Sequence, residues 1–235
     1  MFSKKFNNIE FITNREVFLD LFPPEPAKKV VPDWYKELDL DTYTGRQSQY
    51  GDTWPTVKKC IPVQDFITSG YIIRNSCEME IKKVKEYDDT MENEVVPADQ
   101  SMIGKHPHNQ CPVTIQGENR HYFKFNQPWM IKTPPGYSCL ILQPFYFFEQ
   151  RFTILPAIVD TDNHDMEINF PAMNNMPENH KYTIEVGIPL VQVIPFKREN
   201  WSHTKSVGPT WVKSKLELFL RDGYKKIHHV KKFFK

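Results

Sequence analysis

The residues best suited to chemistry gather between Asp160 and Asp165. Asp160-Thr161-Asp162-Asn163-His164-Asp165 places three carboxylates and one imidazole in a short stretch. With His106, His108 and His121 they could supply the nitrogen and oxygen donors of a metal centre. A non-haem iron oxygenase, however, needs His-x-Asp and a distal His on barrel strands. Asp162-Asn163-His164 runs in the reverse order and reads as a turn. Aspartate and asparagine favour turns because their side chains hydrogen-bond nearby backbone, which accounts for the cluster without a cation. The expectation is no metal and no cofactor. Were a metal held, His106, His108, His121, Asp162 and His164 would be its ligands.

Nucleophiles offer less. Ser138 and Cys139 lie inside an alternating strand pattern, where one of the two simply faces the core, and no Gly-x-Ser-x-Gly elbow occurs. Neither a phosphate-binding loop of the Walker type nor a dinucleotide fingerprint is present. Phe145-Tyr146-Phe147-Phe148 could stack bases, but no lysine or arginine is interleaved with the rings. The run reads as a hydrophobic corner or a subunit contact. Cys60, Cys77, Cys111 and Cys139 are scattered without a Cys-x-x-Cys pair, as expected of reduced, mostly buried thiols.

The elements that must position these residues are mostly strands. Segments 122–125, 129–132, 137–142, 152–155, 157–159, 166–170, 182–186 and 190–194 recur about every ten residues, with Pro, Gly, Asn or Asp between them. That rhythm predicts a sandwich or barrel rather than alternating strands and helices. Upstream, Tyr71–Ile73 and Cys77–Val84 read as further strands, and Cys60–Ile67, with an early proline, as a short helix ending near Gly70. Residues 1–56 read as an N-terminal arm, with loop from Asp41 to Trp54. Residues 57–201 form the core, with a loop-rich excursion over 86–118. Residues 202–235 read as a C-terminal amphipathic basic helix, with Trp211, Leu216, Phe219 and Leu220 on one stripe.

Composition agrees. Among 235 residues, 14% are aromatic and 19 are proline against 9 glycines, which suits short strands and rigid turns. Thirty Lys and Arg balance 29 Asp and Glu, so no global basic field for nucleic acid exists. The basic C-terminal tail is the exception, and its cations read as a solvated helix face. No apolar run is long enough to span a membrane, and Met1–Asn8 carries no secretory signal, so the expected location is cytoplasmic.

Thr133-Pro134-Pro135-Gly136-Tyr137-Ser138-Cys139-Leu140-Ile141-Leu142 resembles the dUTPase and dCTP-deaminase superfamily, in which a Pro-x-Gly-Tyr turn opens a strand of a β-clip barrel. Ala157–Asp162 is similar to that family's segment bearing an aspartate before a sugar-binding turn. Gly187–Ile194 resembles its Gly-x-x-Ile-Ala-Gln-Leu strand. The resemblance implies that Asp160 matches the water-activating aspartate, and that Gln192, with Asp162 and Tyr137, would line a ligand site. It departs where phosphate would bind. Gln143-Pro144-Phe145-Tyr146-Phe147 replaces Arg-Ser-Ser, and Asn163–Glu167 replaces the Tyr-Arg-Gly turn. A glycine-rich C-terminal arm is lacking.

The chain from Pro32 onward, including Lys124–Trp129 and Gln192–Trp201, also resembles an uncharacterised family of proteins from tailed phages of marine bacteria. That implies a viral origin, in the host cytoplasm or the virion, and no activity. The combined expectation is a mainly-β, dUTPase-like β-clip barrel core. It would form a homo-oligomer, a trimer by the family resemblance, with a virion or host protein as further partner. The function expected is structural or accessory. The alternatives are a nucleotide- or small-ligand-processing enzyme using Asp160 and Gln192, or a metal-dependent barrel oxygenase.

Overall fold

A computed structural model describes residues 7–48, 51–85, 91–97, 100–106, 114–115, 118–119, 121–177, 179–207 and 224–234. The chain opens with β1 (Glu10–Ile12), α1 (Val17–Leu21), β2 (Glu25–Pro26) and α2 (Asp33–Glu37). The antiparallel pair β3 (Asp41–Ser48) and β4 (Gly51–Pro55) precedes α3 (Ile61–Thr68). Then come β5 (Tyr71–Arg74), β6 (Met79–Lys85), β7 (Met91–Pro97), β8 (Ile103–His106), β9 (Thr114–Ile115) and β10 (Glu118–Asn119). Next are β11 (His121–Phe125), β12 (Met130–Lys132), β13 (Tyr137–Leu142) and β14 (Phe152–Ile154). The last are β15 (Ala157–Val159), β16 (Phe170–Asn174), β17 (Lys181–Ile184) and β18 (Pro189–Lys197). The protein is mainly β, as the strand rhythm predicts.

The chain divides into two units, one of Met1–Glu25 with Gly70–Arg198, the other of Pro26–Ser69 with Glu199–Lys235. The first unit holds three larger sheets, ordered β14-β16-β11-β8, β15-β13-β18-β5-β2 and β17-β6-β7. The expected closed barrel is a correction: among the described residues these sheets stay open. Their margins are strands as short as β15 and Glu25–Pro26, which limits the unpaired edge each presents. In β18 the run Leu190–Gln192 is buried without alternation, the mark of a central strand covered on both faces. Phe123, Phe125 and Phe152 meet edge-to-face at 5.1–6.3 Å inside the same core.

Two strands pass from one sheet to another side by side. β5 and β18 pair in the five-stranded sheet, while β6 and β17 pair in the three-stranded one. Between them, Asn75 is wholly buried, and its Nδ2 donates to the carbonyls of Cys77 at 2.7 Å, Glu185 at 2.9 Å and Ile184 at 3.3 Å. Its backbone closes the same corner, donating to Ile188 O and accepting from Gly187 N. A register shift between Pro189 and Val191 bends β18 there. At the far end of β5, Gly70 has φ +70°, and a Cβ would stand 2.1 Å from Val193 O, so a side chain there is excluded.

The second unit contains α2, α3 and the β3–β4 pair. Lys59 reaches Asp41 at 2.6 Å, and Asp65 on α3 accepts from Lys232 at 2.5 Å, with His229 at 3.1 Å. Residues 199–207 have no regular secondary structure, and Tyr224–His228 forms a π-helical turn. The helix expected from Trp211 to Leu220 lies outside the described residues. No helix among those described is long and apolar enough to cross a membrane.

Replacing Asn75 with alanine removes a donor shared by the carbonyls of Cys77, Ile184 and Glu185, the first two bonds being buried. The expected loss is about 1–3 kcal/mol, read from urea unfolding midpoints. Asn75→Asp, which offers acceptors only, should cost more than Asn75→Ala. Equal midpoints for all three proteins would show that the corner does not depend on this amide.

Candidate functional site

The sequence-flagged carboxylates do converge, on an arginine. The turn after β15 is closed by bonds from the N–H groups of Asn163 and His164 to Asp160 O. Thr161, fully buried, anchors it from below, sharing a 2.7 Å bond with Thr133 Oγ1 and donating to Cys139 Sγ at 3.4 Å. On the neighbouring ladder β13 pairs with β18, Tyr137 opposite Lys197. Arg198 therefore leaves β18 beside the start of β13, and its N–H donates to Gly136 O at 2.8 Å.

From there the guanidinium reaches both aspartates. Nη1 donates to Asp162 Oδ1 at 2.9 Å, Asp160 Oδ1 at 3.2 Å, Ser138 Oγ at 3.0 Å and Tyr137 O at 3.0 Å. Nη2 donates to Asp162 Oδ2. Ser138, itself buried, donates its hydroxyl to Asp160 Oδ1 at 2.6 Å. Gly136, held at φ +85°, points its N–H at Asp162 Oδ2, 2.8 Å away. Both oxygens of Asp162 are thus engaged, and its side chain is only 6% exposed, whereas Asp160 is 63% exposed. The Arg198 guanidinium, aided by the Gly136 N–H, holds the Asp162 carboxyl down at about 2 against an ordinary 3.8.

The other expected site residues are dispersed. Gln192 is buried on β18 opposite Leu142, at the far end of the ladder from Ser138. Four residue steps separate the two levels, about 13 Å along the sheet. Tyr137 Oη accepts from Asn7 Nδ2 at 2.6 Å, and Tyr137 O from Arg198 and Thr133, so Tyr137 serves the turn. Gln143 folds back on its own loop, accepting from Ile154 N at 2.8 Å and donating to Glu149 O and Phe152 O. Burial pushes the Cys139 thiol up, which suits an inert core cysteine.

His106 ends β8 opposite Tyr122, and His121 opens β11 opposite Asn174. His108 lies outside the described residues. His164 belongs to the turn already described, and the neighbouring Asp165 pairs with Lys132, which lowers its carboxyl below the usual range. Among the described residues, no three His, Cys, Asp or Glu side chains converge as a cation site. Arg198 and Gly136 are the partners that sequence reasoning missed as parts of this cluster. Arg198 stands 36 residues from Asp162 and 60 from Ser138, and only the β13–β18 register aligns them. No known family model matches the chain, and no curated protein does either.

Arrangement and charge together make this cluster a latch. One guanidinium closes the β15 turn onto the first residues of β13, and each charged group has its counterpart. Because the ionised form of Asp162 is favoured in the fold, its contribution to stability is complete above 3.8 and is lost as pH falls through about 2. Asp162→Asn should therefore unfold more readily than the parent protein at neutral pH, and the gap should close as pH approaches 2. Denaturant midpoints across that range measure it, and a gap that stays constant with pH would show that the carboxylate charge contributes nothing.

Proposed function

We propose that this protein is a non-enzymatic structural or accessory component, phage-encoded, that acts through its surfaces as a homo-oligomer. The observation that carries this reading is the closure of the aspartate cluster on Arg198. A hydrolytic aspartate needs a substrate-binding shell beside it, and beside the exposed Asp160 the neighbouring polar groups are turned to holding the turn. Here Asp160 Oδ1 already accepts from Ser138 and Arg198, Asp162 is committed at both oxygens, and Gln192 lies at the other end of the ladder. The loop that would cradle phosphate in a nucleotide hydrolase holds Gln143 bound to its own backbone and a turn of aromatic rings.

Those rings support action through a surface. Phe145, Tyr146 and Phe148 meet edge-to-face at 5.2–6.2 Å on a short 3-10 turn. Phe145 is 61% and Phe148 53% exposed, and Phe148 sits at φ 53°, a conformation that costs a non-glycine residue energy. Exposed aromatic clusters of this kind are typical of interface cores. The likeness of Gly136–Leu142 and Gly187–Ile194 to dUTPase-like strands supports a β-clip ancestry, with a trimer as the assembly it favours. The wider likeness to tailed-phage proteins supports the viral origin.

Purified protein should release neither pyrophosphate from dUTP nor ammonia from dCTP, and should sediment as an oligomer. The double substitution Phe145→Ser, Phe148→Ser should lower the assembled mass while leaving the protomer folded. A monomeric parent protein that turns over either nucleotide, with the turnover lost in Asp160→Asn, would sink this reading.

A further inference from the structure

Away from the aspartate latch, the first unit contains a second polar concavity with different chemistry. A cavity of about 320 Å³ is lined by Asn14, Arg15, Asn126, Gln127, Glu167 and Asn169. Its walls are pinned by backbone: Asn126 N donates to Met102 O at 2.9 Å, Ile168 N to Trp129 O at 3.2 Å, and Met130 bridges Glu167. Two of the lining carboxamides are anomalous. Gln127 is 3% exposed, and neither its Nε2 nor its Oε1 has a hydrogen-bond partner within the chain. Asn126 donates its Nδ2 to Ser101 O at 3.0 Å, but its buried Oδ1 also lacks a partner. Buried amides are nearly always satisfied, so three unmet polar atoms on adjacent residues beside one cavity mark a place where a bound group completes the bonding.

The lining selects the class of that group. A carboxamide sets a donor beside an acceptor, and four are present, which matches hydroxyls that each donate and accept. An anion is disfavoured, because Arg15 already donates to Ser101 Oγ at 3.0 Å and Glu167 lies in the same lining. A nucleobase is disfavoured, because the apolar part of the lining is Met102, Pro128 and Met166, with no ring on which a base could stack. The volume stands at the lower end of small-molecule sites, room for a single small ring. The geometry points to a binding site for a neutral, polyhydroxylated small molecule of monosaccharide size. The Gln127 amide is closed to solvent in this state, so the ligand gains it through a rotation of that side chain.

The test uses the full chain and a panel of D-glucose, D-galactose, D-mannose, N-acetyl-D-glucosamine and myo-inositol, with inorganic phosphate and thymidine as contrasting probes. Ligand-observed NMR should detect at least one polyol with Kd near or below about 1 mM. Gln127→Met keeps the length of the side chain and removes its polar atoms. It should weaken that binding by roughly tenfold or more without lowering the melting temperature, since an unpartnered buried amide is removed. Asn169→Ala, at an exposed lining position, should weaken binding and leave folding intact. No binding of any polyol, preferential binding of phosphate or thymidine, or binding unchanged in both variants would overturn the proposal. So would a clear fall in stability of Gln127→Met without change in binding, which would mean that a buried water, not a ligand, completes the amide. None of these readouts depends on oligomer mass or nucleotide turnover.

Discussion

The fold depends on a corner at which two strands leave one sheet for another together. Chain segments in such a crossing lose their ladder partners, yet they lie inside the protein, and each buried carbonyl still requires a donor. Asn75 supplies that donor for Cys77, Ile184 and Glu185 at once, while its backbone fastens Gly187 and Ile188. On either side of the corner Ile73, Met79, Ile184 and Leu190 are buried in one common core. The amide therefore does more than satisfy local groups, because it fixes the angle at which the two sheets present their apolar faces to each other. The bulge in β18 and the positive φ of Gly187 are the backbone adjustments that this angle demands.

Arginines close what the corner leaves open. Arg151 grips Glu149 through two parallel bonds at 2.9 and 2.7 Å and reaches Glu185 on the segment that leaves β17, at 2.9 and 3.0 Å. Glu185 is the residue whose carbonyl Asn75 holds, so the clamp braces the same crossing from outside. Arg198 does the equivalent for the β15 turn. A planar guanidinium suits both tasks, since one group can hold several acceptors in fixed directions. The ionic groups of these two clusters are answered within the chain, whereas Asn126 and Gln127 together leave three buried polar atoms unmet.

Strands buried on the core face were legible in the sequence. Tyr137–Leu142 forms a strand at the predicted bounds, and the run at Leu190–Ile194 lies within β18, because apolar side chains there must be covered and the pattern says so. The turn at Asp160–His164 followed from side-chain hydrogen bonding by Asp and Asn. Three kinds of feature escaped. Asp41–Trp54 read as loop but lies in the paired strands β3 and β4, with β4 exposed throughout, so no periodic burial marks it. In 86–118, β7 pairs with β6, but its charged and polar stretch Glu92–Glu94 breaks any apolar alternation. The strand expected at 166–170 instead runs Phe170–Asn174, through Pro171, where propensity argues against a strand and tertiary pairing with β11 and β14 prevails. Arg198 escaped for a further reason, since a lone basic residue after a strand acquires its role only through register.

The residues that carry the dUTPase-like resemblance and those that depart from it divide by physical task. Gly136 can adopt φ +85° and so aim its N–H at Asp162, and Asp162 returns the favour by seating Arg198 against the turn. Asp160 bonds Ser138 across the ladder. These are backbone-shaping tasks, and any chain that needs this turn beside this strand gains from the same residue types. The departures fall where a substrate would be touched: Gln143 binds its own loop, and Phe145 to Phe147 offer rings where a phosphate needs donors. A catalytic site requires groups whose hydrogen-bonding capacity is unmet until substrate arrives. In this chain Asp162 has no such capacity in reserve, whereas Asn126 and Gln127 hold three buried polar atoms without a partner beside one cavity. Unmet hydrogen bonding, rather than resemblance of motif, is the property that separates a turn built to hold itself from a site built to hold something else.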